Sequence, residues 1–301
     1  MAQPAIMGLI IYIGEIRLNI QLMTDGGADV PEQIRQSLDL IVVPLYLHFD
    51  DEQFISDVNM DLNQFYQKIK SKNMLPRTSA PSPSDFYDAF KQVEPDKQIL
   101  MLSLTKGLSS TYENAVTGMN MLLEEEPERV IEVINTKTAS CGIGLLLHEA
   151  KVKIDQGMAF QDMIQHIKER SEDTATLFVL KSLDNLILGG RLDKVKGTIA
   201  KTLNIKLLMR GNDVGEIEVT EKVRGDKKSI RRFIEQIGEY TRNVEDKVLA
   251  ITHCNAEERA KSIIHDIKQA YPFKDIFLSE TGPLISTYAG EGALVMSFFK
   301  N

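Results

Sequence analysis

Leu102-Ser-Leu-Thr-Lys-Gly-Leu-Ser-Ser-Thr-Tyr-Glu-Asn-Ala-Val-Thr-Gly118 is the stretch on which the fold turns. The run leading into it, Gln98-Ile-Leu-Met-Leu-Ser103, is apolar and reads as a buried strand. A short polar loop follows, with Gly107 where the chain must turn. Ser109, Ser110 and Thr111 then stand just ahead of a helical pattern from Tyr112 to Leu123. Strand, hydroxyl-rich loop and helix start together place free backbone N–H groups and hydroxyls at the carboxyl end of a strand. Such a place suits a carboxylate or phosphate, and in open α/β sheets ligands bind at that edge. A plainer reading has Ser109 or Ser110 serve only as a helix cap.

The pattern repeats on either side. Asn19 to Thr24 reads as a first strand, ending in the turn cluster Asp25-Gly26-Gly27. Pro31 to Leu38 reads as a short helix with Asp29 as its N-cap. Leu40 to Phe49 reads as a strand broken by Pro44, hence bent or at an edge. A helix is expected over Asp61 to Ser71, a proline- and hydroxyl-rich loop over residues 76–84, and a helix over Asp85 to Gln92 capped by Ser84. Beyond the central unit come a strand, Arg129 to Ile134, and helices over Ala139 to Gln156 and Phe160 to Arg170. This βαβα order with short connections predicts a mostly parallel sheet covered by helices.

Composition shifts near Ser171. Thr176 to Leu180 reads as a strand. Ile199 to Met209, the turn Gly211-Asn212 and Glu216 to Val219 read as a helix end and an antiparallel hairpin. An amphipathic helix over Gly225 to Tyr240, a strand over Val248 to Thr252, a helix over Ala256 to Ala270, and closing strands over Phe273 to Leu278 and Ala293 to Phe299 complete the chain. The expectation is an α/β protein of two domains. Residues 19–171 form the mostly parallel sheet with flanking helices, residues 172–301 form an α/β domain with a mixed sheet, and the ligand lies between them. Residues 1–18 are read as an atypical N-terminal extension or an extra strand, since the apolar run Ala5 to Ile13 is too short to span a bilayer.

The totals exclude several classes. The 301 residues are 43% hydrophobic and 26% charged, which is ordinary for a soluble globular protein. A net charge of −8 and the lack of a long basic run argue against a nucleic-acid partner. No segment predicts stable membrane insertion. Cys141 and Cys254 are far apart, fit a reducing cytoplasm, and give no zinc spacing; no metal or cofactor site is expected. Ser109 lacks the GxSxG elbow of a serine hydrolase, so no catalytic residue is assigned. Gly189-Gly190-Arg191 reads equally as a phosphate-contacting loop or as a helix cap with a solvated arginine. The run from Gly282 to Gly292 reads as an anion cradle or simply the loop before the last strand. Cys141 and His253 read as a buried filler and a satisfied polar group.

Taken in order, Asn19 to Asp25, Val43-Pro44-Leu45, Thr78-Ser-Ala-Pro-Ser82, Gly107-Leu-Ser-Ser-Thr-Tyr112, Gly189-Gly-Arg191, Leu203-Asn-Ile-Lys206 and Gly282-Pro-Leu-Ile-Ser-Thr-Tyr-Ala-Gly290 resemble the DegV family from about residue 19 to the end. The resemblance implies a two-domain bacterial protein that binds a long-chain fatty acid between its domains. It also implies a partner, the separate ATP-binding subunit of a fatty-acid kinase, which phosphorylates the presented carboxylate. By resemblance, Thr78 and Ser109 contact that carboxylate. Ser110 stands where glycine is usual, and Arg191 is the loop arginine tied to kinase engagement. Tyr288 falls where the family has a histidine; it can donate a hydrogen bond but cannot be cationic. Glu291 replaces a proline and could repel a carboxylate, and Asp25-Gly26-Gly27 departs from a serine-rich version. Two other readings stay open: a small-molecule phosphotransferase or hydrolase using the same cleft, and a lipid sensor without a kinase partner.

Overall fold

The computed structural model describes residues 19–50, 52–56, 60–192 and 205–301. The expected N-terminal extension, and the parts of the Ile199–Met209 and Leu203–Lys206 readings before Ile205, lie outside the described residues.

The stretch that decides the fold forms β6 (Gln98–Ser103) and α4 (Thr111–Glu125). β6 sits inside a parallel four-stranded sheet, between β1 (Ile20–Asp25) and β7 (Ile131–Asn135), with β2 (Ile41–Val43) at the far edge beside β1. Leu22, Leu100, Leu102 and Ile134 point to one face. Met23, Ile99, Met101 and Val133 point to the other, against α3 (Pro83–Lys91) and α4. Both faces are covered, so the strand is apolar throughout.

A second sheet has six strands in the order β10 (Ile217–Arg224), β9 (Ile205–Gly211), β8 (Thr174–Val179), β13 (Leu294–Phe299), β11 (Val248–His253) and β12 (Asp275–Glu280). All neighbours are antiparallel except β11 and β12, so the sheet is mixed, as expected. Its outer face packs on α8 (Asp226–Glu235) and α10 (Glu257–Ala270) through Leu177, Leu249, Phe233, Ile263 and Met296. α9 (Ile237–Tyr240) is a separate short turn, so the single helix expected over Gly225 to Tyr240 is two.

Between the sheets lies α5 (Cys141–Asp155), buried at every position from Cys141 to Leu147. Its core is continuous with Leu100 and Leu102 on one side and with Ala250, Val295 and Phe299 on the other. Gly144 lets it come close: a Cβ there would stand 2.6 Å from the Asp29 carbonyl oxygen. α6 (Phe160–Asp173) packs beside it and runs straight into β8, with Thr174 as its C-cap residue. Residues 171 and 172, where a domain boundary was expected, are therefore helical.

Five local expectations are corrected. Residues 76–84 are not all loop: β5 (Arg77–Ser79) pairs with β3 (Tyr46–Phe49), which also pairs with β4 (Glu52–Ile55). Pro44 divides the expected strand into β2 and β3, which join different sheets. The cap of α3 is Ser82, not Ser84, because Pro83 takes the first helical position and Asp85 completes a capping box. The Gly282 to Gly292 segment holds a helix, α11 (Pro283–Ala289), opened by Gly282-Pro283 and stopped at Gly290 with φ 72°. α1 (Glu32–Ser37) starts at Pro31 with no side-chain cap, so Asp29 has another use. Two more short elements, α2 (Leu62–Lys72) and α7 (Asp184–Leu188), flank the region described next.

Candidate functional site

A cavity opens where the carboxyl ends of β6 and β7 face the inner side of the six-stranded sheet. It holds about 920 Å³ of space between atoms, counting its open mouth. Leu45, Leu104, Leu108, Phe178, Leu180, Leu186, Ile217, Leu284 and Val295 line it from both halves of the chain, and Thr78, Ser109, Arg191 and Tyr288 stand on its wall. The structure thus brings together four of the five candidate positions. Ser110 is not among the lining residues: it is exposed, at the N-cap position of α4, and makes no side-chain cap bond. Ser109 Oγ instead accepts from the Thr111 N–H at 3.3 Å and lies 2.8 Å from Thr111 Oγ1.

The hydroxyls of Thr78, on β5, and Tyr288, on α11, are hydrogen-bonded to each other. The Tyr288 ring rests on the Gly189 backbone, where a Cβ would meet ring carbons at 2.4 and 2.7 Å. The Arg191 guanidinium lies 4.9 Å from the ring centroid. It also donates to the Gly189 carbonyl at 2.7 Å and, through Nε, to the Leu108 carbonyl at 3.4 Å. Gly189 is the C-cap of α7, but Arg191 is half-buried over the aromatic ring rather than solvated. Glu291 does not face this site. Lys70 at 3.0 Å and Asn255 at 2.8 Å hold its carboxylate. Burial alone would raise its pKa, yet these bonds keep it below the usual carboxylate range. Glu291 is thus ion-paired with Lys70 and is not among the residues that line the cavity.

Sequence reasoning missed a buried polar seam. Asp29 Oδ2 accepts from Ser140 Oγ at 2.5 Å, and Oδ1 accepts from the Gly282 N–H at 2.6 Å, at the start of α11. Burial pushes its carboxyl from the ordinary 3.8 up to about 7, against those two bonds. Asp25 closes the turn after β1, accepting from the Leu104 and Gly27 N–H groups and from Ser103 Oγ; burial lifts it to about 6. An aspartate ending an apolar strand was the available signal. The β7–α5 loop carries Lys137 and Ser140 at φ 54° and 57°, sparsely populated values for residues with a Cβ. His253 Nδ1 accepts from the Ala256 N–H at 3.3 Å and Cys141 is fully buried. Among the described residues no group of three potential ligands could hold a metal ion, and no helix is long and apolar enough to cross a membrane.

The model of the DegV family, described as uncharacterised proteins, matches residues 19–301. This chain belongs to the DegV family. A DegV domain-containing protein of Streptococcus pyogenes serotype M3 is 31% identical over 280 residues, 92% of this chain and 98% of that one. A DegV-family crystal structure from Ruminococcus gnavus, described with vaccenic acid, superposes with a TM-score of 0.87 at 29% identity, covering 93% of this chain and 99% of that one. The B3 protein of the Streptococcus pneumoniae fatty acid kinase, loaded with linoleic acid, gives 0.83 at 28% identity over 94% of this chain and all of that one. A DegV-family protein from Eubacterium eligens loaded with heptadecanoic acid gives 0.84 at 28%, with the same coverage.

Proposed function

We propose that this DegV-family chain binds a long-chain fatty acid in the cavity between its four-stranded and six-stranded sheets. The carboxylate lies at Thr78, Ser109 and Tyr288, and the acyl chain lies along Leu104, Phe178, Leu284 and Val295. The observation that carries this reading is a few hydroxyls set in the wall of a largely apolar cavity lined from both halves of the chain. Each buried methylene contributes about 0.8 kcal/mol, so the chain supplies most of the driving force. Hydrogen bonds to a charged head add about 1.5–3 kcal/mol each and fix its orientation. Similar proteins holding vaccenic, linoleic and heptadecanoic acids support the ligand class.

The finer reading is that the chain acts in the cytoplasm and presents the carboxylate to a separate ATP-binding kinase subunit, with Arg191 beside the acyl phosphate. Likeness to a fatty acid kinase B3 protein supports it, as does a half-buried guanidinium at the wall of the cavity. Native mass spectrometry of gently purified protein tests the ligand: the expected result is an added mass matching a long-chain fatty acid, and a polar ligand would count against it. Adding the cognate ATP-binding subunit and ATP tests the partner. Acyl phosphate is expected, and its absence with lipid bound would favour a sensor.

A further inference from the structure

An acyl tunnel needs no hydroxyls along its length, and burying them costs unless they are paired. Buried hydroxyl residues nevertheless line this cavity besides Thr78 and Tyr288, among them one threonine from each half of the chain: Thr138 in the β7–α5 loop and Thr176 on β8. Their Oγ1 atoms are 2.6 Å apart. Gly142 in the first turn of α5 makes room for them, since a Cβ there would stand 2.2 Å from Thr138 Oγ1 and 2.8 Å from Thr176 Oγ1. Behind them Thr176 Oγ1 lies 2.9 Å from Ser297 Oγ, which accepts from the Cys141 thiol at 3.4 Å.

Thr138 Oγ1 also lies 3.4 Å from the Ala139 carbonyl oxygen, and in its 2.6 Å contact with Thr176 either hydroxyl can be the donor. Each hydroxyl oxygen has two lone pairs. Among the described residues Thr138 Oγ1 can accept from Thr176 alone, so whichever way that proton lies it keeps a lone pair free, on a residue that lines the cavity.

We infer that the cavity takes a fatty acid bearing a hydroxyl along its acyl chain, which donates to Thr138 Oγ1. The inference rests on the fatty-acid reading above and names the substrate class within it. A chain hydroxyl placed elsewhere against Leu284 or Val295 would be buried without a partner and bind worse than a plain chain.

The test titrates the delipidated full-length protein with octadecanoic acid and with a positional series of hydroxyoctadecanoic acids. One isomer is expected to bind about threefold to tenfold tighter than octadecanoic acid, the range of one net neutral hydrogen bond, and the others more weakly. Thr138→Val with Thr176→Val should abolish that preference while octadecanoic acid still binds. Thr138→Ser with Thr176→Ser keeps both oxygens and should retain the preference, which separates loss of the acceptors from disturbance of the fold. No isomer outbinding octadecanoic acid, or a preference that survives the valine pair, overturns the inference and leaves the fatty-acid reading intact. Failure of every acid to bind overturns both.

Discussion

Tyr288 reaches Thr78 because glycine stands at 189. Any side chain there would strike the ring, so one residue without a Cβ on α7 sets the position of a hydroxyl on α11. The proposed head-group site therefore draws on three places far apart in sequence: the β5 threonine, the Ser109 loop and α11. Replacing Thr78 by Val and Ser109 by Ala removes two hydroxyls from it. If each donates to a carboxylate, the loss is about 1.5–3 kcal/mol per bond, hence at least tenfold in affinity. A lipid-binding titration should show that weakening, with the thermal midpoint within a few degrees of wild type; unchanged affinity would remove these residues from the head-group site. Thr78 and Ser109 were legible because hydroxyl-dense loops stand out locally. Asp29 was misread as a helix cap for the opposite reason: its partners lie 111 and 253 residues away, and nothing within its own turn announces them.

At the scale of elements, long apolar runs such as β6 and the amphipathic α10 were plain in the sequence, and short polar ones were not. β5 is three residues, Arg-Thr-Ser, and becomes a strand only because β3 pairs with it. α11 hid inside a glycine-bounded run with a single proline. Asp29 ties α11 to the N-terminus of α5, and this junction titrates. Its folded carboxyl keeps its proton up to about 7, whereas an ordinary one releases it near 3.8. Between those values the native state binds more protons than the unfolded one, so stability falls as pH rises across that window. The contribution is complete below the lower value and lost through the upper, on the order of 4 kcal/mol. Asp25 acts in the same sense up to about 6. Asp29→Asn keeps an acceptor for the Gly282 N–H and has no proton to lose. Chemical denaturation at a series of pH values should show the wild type weakening from mildly acidic to neutral solution. The variant should show a shallower decline, left by Asp25; equal slopes would mean Asp29 does not titrate there.

At the scale of the whole molecule, the two sheets share one core through α5 and one cavity beside it, so neither half has a complete interior alone. α6 passes into β8 without a linker, which couples the halves further. Unfolding should therefore be a single cooperative transition. An acyl chain bound in that cavity, as proposed, would touch Leu104 on one side and Phe178 and Val295 on the other and so become a structural part of the fold. A ligand that binds only the native state stabilises it by about 2.7 kcal/mol at a hundredfold excess over its Kd. For a chain of this size each kcal/mol moves the midpoint by roughly 2–4 °C, so removing the lipid should lower the midpoint by roughly 5–10 °C. Scanning calorimetry of lipid-free and reloaded protein measures this directly. A split transition would mean that the halves unfold separately. An unmoved midpoint would mean that the cavity does not hold the lipid in the native state.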